Sequence, residues 1–160
     1  MVLRTKFNSM GLPNEKDIDF VRPNLTANGT MGGNAFAVSA SSANSSYPAY
    51  QAVDSSTSTQ WRPTSTGSYY YYFYNPKALN VSKVILTFSG TNYRAGSVTI
   101  AGSNDNSTWE TITSSYSGTT TGTLTTTNNK KYYKYHRLYL TTYSSTMRVT
   151  NIAITATYKG

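Results

Sequence analysis

Few side chains of this chain could carry acid–base or metal chemistry. After residue 23 the acids are Asp54, Asp105 and Glu110, and His136 is the sole histidine. The two aspartates stand in small polar segments typical of turns, and the histidine lies in an alternating apolar stretch that predicts a buried ring. Glycoside hydrolysis usually needs two carboxyl groups facing each other across roughly 5–10 Å. The chain also lacks cysteine, so we predict no catalytic residue and do not expect an enzyme.

Two segments that end in tryptophan share one pattern. The first runs from Tyr50 to Trp61 and the second from Gly102 to Trp109. In each, an acid within a small polar turn precedes a threonine and then the tryptophan. We expect both tryptophans to be anchors in the core or beneath loops, where replacement by alanine costs about 3–5 kcal/mol.

The composition fits one domain of short strands. The chain has 160 residues, 38% of them hydrophobic, and no apolar run approaches the ~20 residues of a membrane span. The formal charge is +8, and after residue 23 ten lysines and arginines face three acids. Two interpretations stay open: a soluble surface with a net charge, or attraction to a polyanion such as an acidic cell-wall polymer, an acidic glycan or nucleic acid. A solvated hairpin end explains the one dense basic cluster, so nucleic acid is not the expected partner; the cluster consists of Lys130, Lys131 and Lys134.

Residues 1–23 are predicted to form an N-terminal arm before a domain that spans residues 24–160. Charges of both signs alternate in the arm, and Asn14 and Asp17 at capping positions predict a short helix over residues 14–20. The arm is either an attachment or oligomerisation segment or an unstructured leader. It lacks the apolar stretch of a secretory signal, so we expect export by another route, such as inside an assembled particle, or an excised fragment.

From residue 24 onward the pattern predicts strands and no core helix. The predicted fold class is all-β, an antiparallel jelly-roll β-sandwich of about eight strands. Turns are expected at Asn75-Pro76, Ser89-Gly90, residues 102–106 and Ser117-Gly118. The predicted strands cover residues 36–41, 68–74, 83–88, 97–101, 110–113, 122–127, 133–141 and 148–158.

Six consecutive aromatic residues occupy positions 69–74. On a strand, Tyr69, Tyr71 and Phe73 face one way, and the alternate tyrosines face the other way. We expect one row to pack in the core and the other to lie on a sheet face, because such packing is commoner than a strip of six binding rings.

Several short motifs follow one another in a recognisable order. A strand at 35–42 precedes Ala52-Val53-Asp54 with Thr59 and Trp61, and the segments 77–88, 98–109, 134–138 and 148–158 follow. Over residues 24–159 this order resembles a discoidin domain, the coagulation factor 5/8 C-terminal type, and especially the galactose-binding-like family 32 carbohydrate-binding modules. The order also resembles bacteriophage tail and fibre proteins, in which such modules follow an attachment arm.

Many discoidin domains hold a structural calcium ion, and the resemblance extends this to Asp54 and Thr59. Gln51 and Ser56 would add carbonyl oxygens, but no glutamate follows Glu110 to match the ligand near the last strand. Calcium takes about six to eight oxygens and prefers several carboxylates. The alternative is an Asp54 side chain that caps its own turn. The family usually has Asp-Gly where this chain has Asp54-Ser55, so a different turn is expected, because serine does not readily adopt positive φ.

The resemblance also implies a sugar-binding surface on loops at one end of the sandwich, here residues 43–50, 62–68, 90–96 and 142–147. A ring stacks on a sugar's apolar face while arginine and asparagine bond its hydroxyls. The carbohydrate-binding residues carried over are Arg62, Asn92, Arg94, Tyr143, Tyr47 and Tyr93. The family's usual histidine after the tryptophan motif is missing, so galactose itself is not implied.

Three functions are therefore weighed. The first is a non-enzymatic carbohydrate-binding and adhesion module, a virion or extracellular surface component that recognises a cell-surface glycan or acidic polysaccharide for host attachment. The second is a structural jelly-roll decoration or connector protein that docks on other virion proteins through residues 1–23 and has no ligand. The third is a polyanion or membrane binder, for which the loops carry serine, threonine and tyrosine where apolar spikes would be needed.

Overall fold

The computed structural model describes residues 2–5, 15–20 and 24–159, with side chains described from 24 to 158. Within these residues ten antiparallel strands and two short 3-10 helices account for the regular structure. The described part of the chain contains no helix with the length and apolar character of a membrane span. The strands are β1 (Val2–Thr5), β2 (Glu15–Phe20), β3 (Ala37–Ala40), β4 (Ser68–Phe88), β5 (Ala95–Ser103), β6 (Glu110–Ile112), β7 (Ser114–Gly118), β8 (Thr121–Thr126), β9 (Tyr133–Thr142) and β10 (Val149–Lys159).

Strand β4 belongs to both layers of the sandwich. Its first half pairs with β3 and β9, and its second half pairs with β10 and β8. The register with β9 shifts between Tyr74 and Leu79, where the sequence predicted a turn at Asn75-Pro76. The predicted turn is wrong, because the chain continues as one strand through these residues. Pro76 lies at the irregularity of that strand, a position in a sheet that tolerates the missing N–H of proline.

The two layers enclose one apolar core. Sheet I has the order β3–β4–β9–β5–β6, and sheet II has the order β1–β2–β10–β4–β8–β7. Val84 and Leu86 from sheet II and Leu138 and Leu140 from sheet I are completely buried between them. The predicted all-β sandwich is confirmed, with the alternating rows of both sheets meeting face to face.

The short helix predicted over residues 14–20 is wrong. The backbone of Glu15–Phe20 is strand β2, which pairs antiparallel with β10 on one side and β1 on the other. An isolated helix of seven residues is too short to be stable in water, whereas the strand pairs its backbone groups along two ladders. Strand β7 was also unpredicted, because the polar sequence Ser114–Gly118 carries no apolar alternation.

The aromatic run divides as expected. Tyr71 and Phe73 point into the core with no exposed surface, whereas Tyr70 and Tyr72 are half-buried on the outer face of sheet I. Tyr74 departs from the expectation, because it is 4% exposed and its hydroxyl donates to the Gly33 carbonyl at 2.8 Å. The segment before β3 thus covers one end of the outer face and leaves the rest open.

Candidate functional site

The four loops predicted to form a binding surface meet at one end of the sandwich. The Arg62 backbone N–H donates to the Tyr47 carbonyl at 3.2 Å, and the Arg62 carbonyl accepts the Asn44 N–H at 2.8 Å. Gly67 exchanges two hydrogen bonds with Thr142, at 2.9 and 3.1 Å. These bonds tie residues 43–50 to 62–68, and 62–68 to 142–147.

The remaining loop is tied in the same way. The Ser145 N–H donates to the Asn92 carbonyl at 3.0 Å, and the Tyr143 N–H donates to the Arg94 carbonyl at 3.1 Å. Residues 43–50, 62–68, 90–96 and 142–147 therefore form one hydrogen-bonded surface, called the loop end below. A surface fixed by backbone bonds loses little entropy when a ligand binds, which favours recognition.

Arg94 and Tyr143 form the tightest pair of predicted residues at the loop end. The guanidinium carbon lies 3.7 Å from the centre of the Tyr143 ring, a cation–π stack. Tyr143 is 55% exposed, the most exposed large hydrophobic side chain of the described residues. The pair offers a sugar an accessible ring held beside a charged donor.

Two further arginine–tyrosine stacks lie at the loop end. The Arg62 guanidinium lies 5.5 Å from the Tyr47 ring centre, and that of Arg148 lies 3.8 Å from the Tyr93 ring centre. Arg148 also donates its backbone N–H to the Tyr93 carbonyl at 3.0 Å, and its buried Nε has no hydrogen-bond partner among the described residues. Arg148 was predicted only as the first residue of a strand; its position directly after the loop at 142–147 was the signal that could have placed it at this surface.

The predicted residues thus all lie at the loop end, Asn92 among them. Asn92 is exposed, and its backbone carbonyl fastens the loop through Ser145. Its side-chain amide has no hydrogen-bond partner among the described residues. The amide is free to donate and accept, as recognition of hydroxyl groups requires.

Trp61 is the anchor beneath this surface. Its side chain has no exposed area, its indole Nε1–H donates to the Ser42 carbonyl at 3.0 Å, and its ring lies 4.9 Å from that of Tyr71. The Trp61 backbone forms an isolated bridge with Val149. The prediction of a buried anchor is confirmed for this residue.

Trp109 is not a core anchor, contrary to the prediction. It is half-buried on the outer face of sheet I, with its ring 5.9 Å from Tyr72 and the Arg137 guanidinium 4.5 Å from its centre. The local sequences of the two tryptophan segments are alike, but Trp61 enters a bridge at the loop end whereas Trp109 directly precedes edge strand β6. Position in the sheet, not the motif, decides burial.

The Asp54 carboxylate is satisfied inside its own turn. Oδ1 accepts the Ser56 N–H at 3.0 Å, and Oδ2 accepts the Thr59 hydroxyl at 2.6 Å. The Thr59 hydroxyl also lies 3.5 Å from the Gln51 carbonyl oxygen. Ser55 adopts a φ of 67°, so the turn keeps the left-handed conformation expected of the family's glycine, and the predicted change of turn is wrong. The Asp54–Ser56 hydrogen bond closes an Asx turn that holds this serine.

These residues do not fit a calcium ion. One carboxylate is present, both its oxygens are engaged, and calcium prefers several carboxylates among about six to eight oxygens. No group of three or more histidine, cysteine, aspartate or glutamate side chains in the described part of the chain could hold a metal. The arrangement of Asp54 and Thr59 is that of a structural turn.

Asp105 and Glu110 line one shallow depression with Tyr133. This depression is therefore the candidate location for chemistry by paired carboxylates. Hydrogen bonds from the Thr108 and Ser107 N–H groups lower the pKa of Asp105 to about 2.

Glu110 is bonded to Lys131 at 2.7 Å and to the Tyr133 hydroxyl at 2.6 Å, and these partners lower its pKa. Burial and the bond to Glu110 raise the pKa of Tyr133 to about 12. A glycosidase needs one carboxyl group with a raised pKa as the general acid. Neither Asp105 nor Glu110 meets this requirement.

His136 is a core residue, as its alternation with leucines predicted. It has no exposed surface, its ring stacks on Phe73 at 4.9 Å and meets Tyr133 edge-on at 5.8 Å. Both ring nitrogens lack a hydrogen-bond partner among the described residues, and burial lowers the pKa of the ring to about 3. A neutral, enclosed imidazole of this kind cannot exchange protons with a substrate at the surface.

Comparison with known proteins agrees with this architecture. The family model described as F5/8 type C domain matches residues 37–154, and no curated protein matches the chain. Among solved structures, the family 32 carbohydrate-binding module of Clostridium perfringens NanJ in complex with galactose is 16% identical, covering 75% of this chain and 93% of that chain, with a TM-score of 0.63.

Two other solved structures have the same fold. Chitosan-binding module 2 of a chitosanase/glucanase from Paenibacillus sp. IK-5, in complex with chitotriose, is 22% identical, covering 76% of this chain and 96% of that chain, with a TM-score of 0.62. CpGH89CBM32-5 from Clostridium perfringens, in complex with GalNAc-β-1,3-galactose, is 13% identical, covering 74% and 94%, with a TM-score of 0.63. Because the family model spans well over half of the 160 residues, the chain belongs to the F5/8 type C domain family.

Proposed function

We propose that this chain is a non-enzymatic carbohydrate-binding module used for adhesion, with the loop end as its sugar site. The observation that carries the proposal is the exposed Tyr143 ring beside the Arg94 guanidinium at 3.7 Å. The ring suits the apolar face of a sugar, and the guanidinium donates to its oxygens. Structural neighbours that bind galactose, GalNAc-β-1,3-galactose and chitotriose support a sugar as the ligand class.

The charge of the loop end favours a glycan with acidic sugars. Arg62, Arg94 and Arg148 approach its surface, and the segments 43–50, 62–68, 90–96 and 142–147 contain no acidic residue. Guanidinium groups bind carboxylates through paired hydrogen bonds. An acidic cell-surface glycan or acidic polysaccharide is therefore the partner proposed for this surface.

A glycan array tests the sugar-binding proposal. Wild-type chain is expected to bind a defined subset of glycans saturably, and Tyr143→Ala is expected to lose that binding with an unchanged circular dichroism spectrum, since Tyr143 is 55% exposed. Lys77→Ala is the matched control, because Lys77 stacks on Tyr158 at 4.8 Å and lies in β4, outside all four loops. Silence of the folded wild-type chain across the array would contradict the proposal.

The adhesion role extends to a virion or another extracellular surface assembly. In this part of the proposal, residues 1–23 dock on other virion proteins, and the loop end faces the host cell, as in a phage tail or fibre. Support comes from the order of the chain, in which a segment of mixed charge precedes the residues of the module. Deletion of residues 1–23 also removes strands β1 and β2 from the edge of sheet II, so the truncated chain is first checked for an unchanged thermal unfolding transition. We then expect it to fail to enter particles, whereas Tyr143→Ala enters particles but adsorbs weakly. Adsorption unaffected by every loop variant would instead favour a structural decoration or connector without a ligand.

A further inference from the structure

The outer face of sheet I carries a second cluster of aromatic and cationic side chains, away from the loop end. Register places Tyr70 opposite Tyr139 and Tyr72 opposite Arg137 on the paired strands β4 and β9. Trp109 joins them from the segment before β6. This set is called the aromatic face below; its members are Tyr70, Tyr72, Trp109, Arg137 and Tyr139.

Arg137 is the centre of the aromatic face. Its guanidinium carbon lies 4.5 Å from the Tyr70 ring centre and 4.5 Å from the Trp109 ring centre. The Tyr72 ring lies 5.9 Å from both Tyr70 and Trp109, which closes the group around the cation. Tyr139 extends it, with its ring 4.9 Å from Tyr70. Stacking between rings holds the guanidinium plane in one place without using its N–H donors.

The side-chain polar atoms of the aromatic face form no hydrogen bonds among the described residues, unlike the hydroxyls of neighbouring tyrosines. The hydroxyls of Tyr69, Tyr71 and Tyr74 all bond to protein atoms. Among the described residues, no hydrogen bond or ion pair engages the hydroxyls of the face tyrosines, the Trp109 indole N–H or the Arg137 guanidinium. The aromatic face thus combines apolar rings with a row of free donors, as sugar recognition requires.

The relief of the face suits an elongated ligand. On one side of the rings lies a depression lined by Ser39, Met31 and Asn106, and on the other lies one lined by Thr99, Ala101 and Thr111. Tyr139, which is 41% exposed, also lines the second depression. Alternate residues of a strand are about 6.7 Å apart, so Tyr139 and Arg137 present successive contacts along a single line.

The charge of the face selects among chain-like ligands. Arg137 is the sole cation of the cluster, and no described carboxylate pairs with it. Glu110, next to Trp109 in sequence, is bonded to Lys131 and Tyr133, and Asp105 is occupied inside its own turn. A nucleic acid would place a phosphate at every step and needs several cations along one groove. One caged guanidinium among stacking rings instead fits a sugar polymer with carboxylates.

We propose that the aromatic face is a second glycan site, which binds an extended uronic-acid polysaccharide along sheet I while the loop end binds separately. The Arg137 guanidinium takes a sugar carboxylate, and Tyr70, Tyr139 and Trp109 lie against adjacent sugar rings. The inference goes beyond the proposed function, which rests on the loop end alone.

Binding of polygalacturonate to the 160-residue chain, measured by affinity electrophoresis and calorimetry, tests the inference. Arg137→Gln and Tyr139→Ala are each expected to weaken binding about tenfold, the effect of removing one central contact. Tyr139→Ala is included because its ring is exposed, so this variant is expected to keep the fold and its loss of affinity reports on binding. Lys83→Gln, which removes a cation from sheet II outside both surfaces, is expected to bind within about twofold of wild type. Fully methyl-esterified polygalacturonate, the same polymer without charge, is expected to bind more weakly.

Four results would overturn the inference. Wild-type affinity in both Arg137→Gln and Tyr139→Ala would do so, as would failure of the wild-type chain to bind polygalacturonate. Loss of binding in Tyr143→Ala alone would place the polymer at the loop end, which removes the second site and leaves the proposed function standing. Tighter binding of oligothymidylate with a steep salt dependence would identify the face as a nucleic-acid surface.

Discussion

The Arg94 guanidinium carbon lies 3.7 Å from the centre of the Tyr143 ring, and the Arg94 carbonyl accepts the Tyr143 N–H at 3.1 Å. Side chain and backbone therefore fix the same two residues against each other, across two loops that are 49 positions apart in sequence. A ligand that meets this pair meets a preformed surface, and most of its binding energy goes into contacts rather than into ordering the loops.

Arg94→Ala is expected to weaken glycan binding about tenfold or more, equivalent to ~1.4 kcal/mol, because it removes both the charged donor and the support of the ring. Arg94→Lys should recover only part of this loss, since an ammonium group lacks the planar paired donors. Titration calorimetry with a glycan that binds the wild-type chain gives the comparison. Equal affinities for wild type and Arg94→Ala would show that the pair does not touch the ligand.

The two tryptophans are expected to differ in their contribution to stability. Trp61→Ala should lower the free energy of unfolding by about 3–5 kcal/mol, because it opens a cavity beneath the loops. Trp109→Ala should cost about 1 kcal/mol or less, since its ring lies on a half-exposed face. Urea denaturation of both variants measures the difference, and acrylamide should quench Trp109 fluorescence but not that of Trp61. Similar losses of stability in the two variants would contradict the placement of Trp109.

Acid should destabilise the fold through His136. Its pKa falls from 6.5 to about 3 on burial, so between these values the unfolded chain binds a proton that the folded chain does not. The contribution is complete above pH 6.5 and is lost as the pH falls toward 3, at up to ~1.4 kcal/mol per pH unit. Thermal unfolding between pH 7 and 4 should show this slope, and His136→Phe should flatten it. The pKa values of Asp105 and Glu110 are lowered, so these two acids lose their contributions to stability only at lower pH. An unchanged slope in His136→Phe would refute the assignment of the pH dependence to His136.

Calcium should have no effect on the melting temperature. The Asp54 carboxylate accepts two hydrogen bonds from its own turn and offers a metal too few ligands. Asp54→Ala should nevertheless cost about 1–2 kcal/mol of stability through the loss of those bonds. Differential scanning calorimetry with millimolar calcium and then with a chelator decides the matter. A rise in melting temperature with calcium that disappears in Asp54→Ala would establish a metal site at this turn.

Much of the fold was predictable because most strands after residue 36, with the exception of β7, carry their own alternation. Val84 with Leu86, and Leu138 with Leu140, mark buried rows that need no tertiary information. The joining of two predicted strands into β4 was not predictable, since Asn75-Pro76 reads as a turn and only pairing with β9 shows that the chain continues. The β2 strand was missed for a related reason, because its pairing with β10 is a long-range contact.

The candidate site was predictable in its members but not in their pairing. The order of loops placed Arg62, Arg94 and Tyr143 together, and the structure brings them to one surface. No local pattern indicates that a guanidinium stacks on a particular ring, and Arg148 was assigned to a strand for that reason. The aromatic face was hidden similarly, since Trp109 and Arg137 are 28 positions apart and meet only across the sheet.

A residue-resolved NMR titration of the isotope-labelled chain with galactose, chitotriose and an acidic oligosaccharide shows whether the loop end binds sugar. We expect saturable shifts of backbone amides with at least one of these sugars, and the absence of those shifts in Tyr143→Ala; the amides are those of residues 43–50, 62–68, 90–96 and 142–147. Saturable shifts confined to other parts of the chain, or a spectrum of the folded protein that no sugar changes, would contradict this expectation.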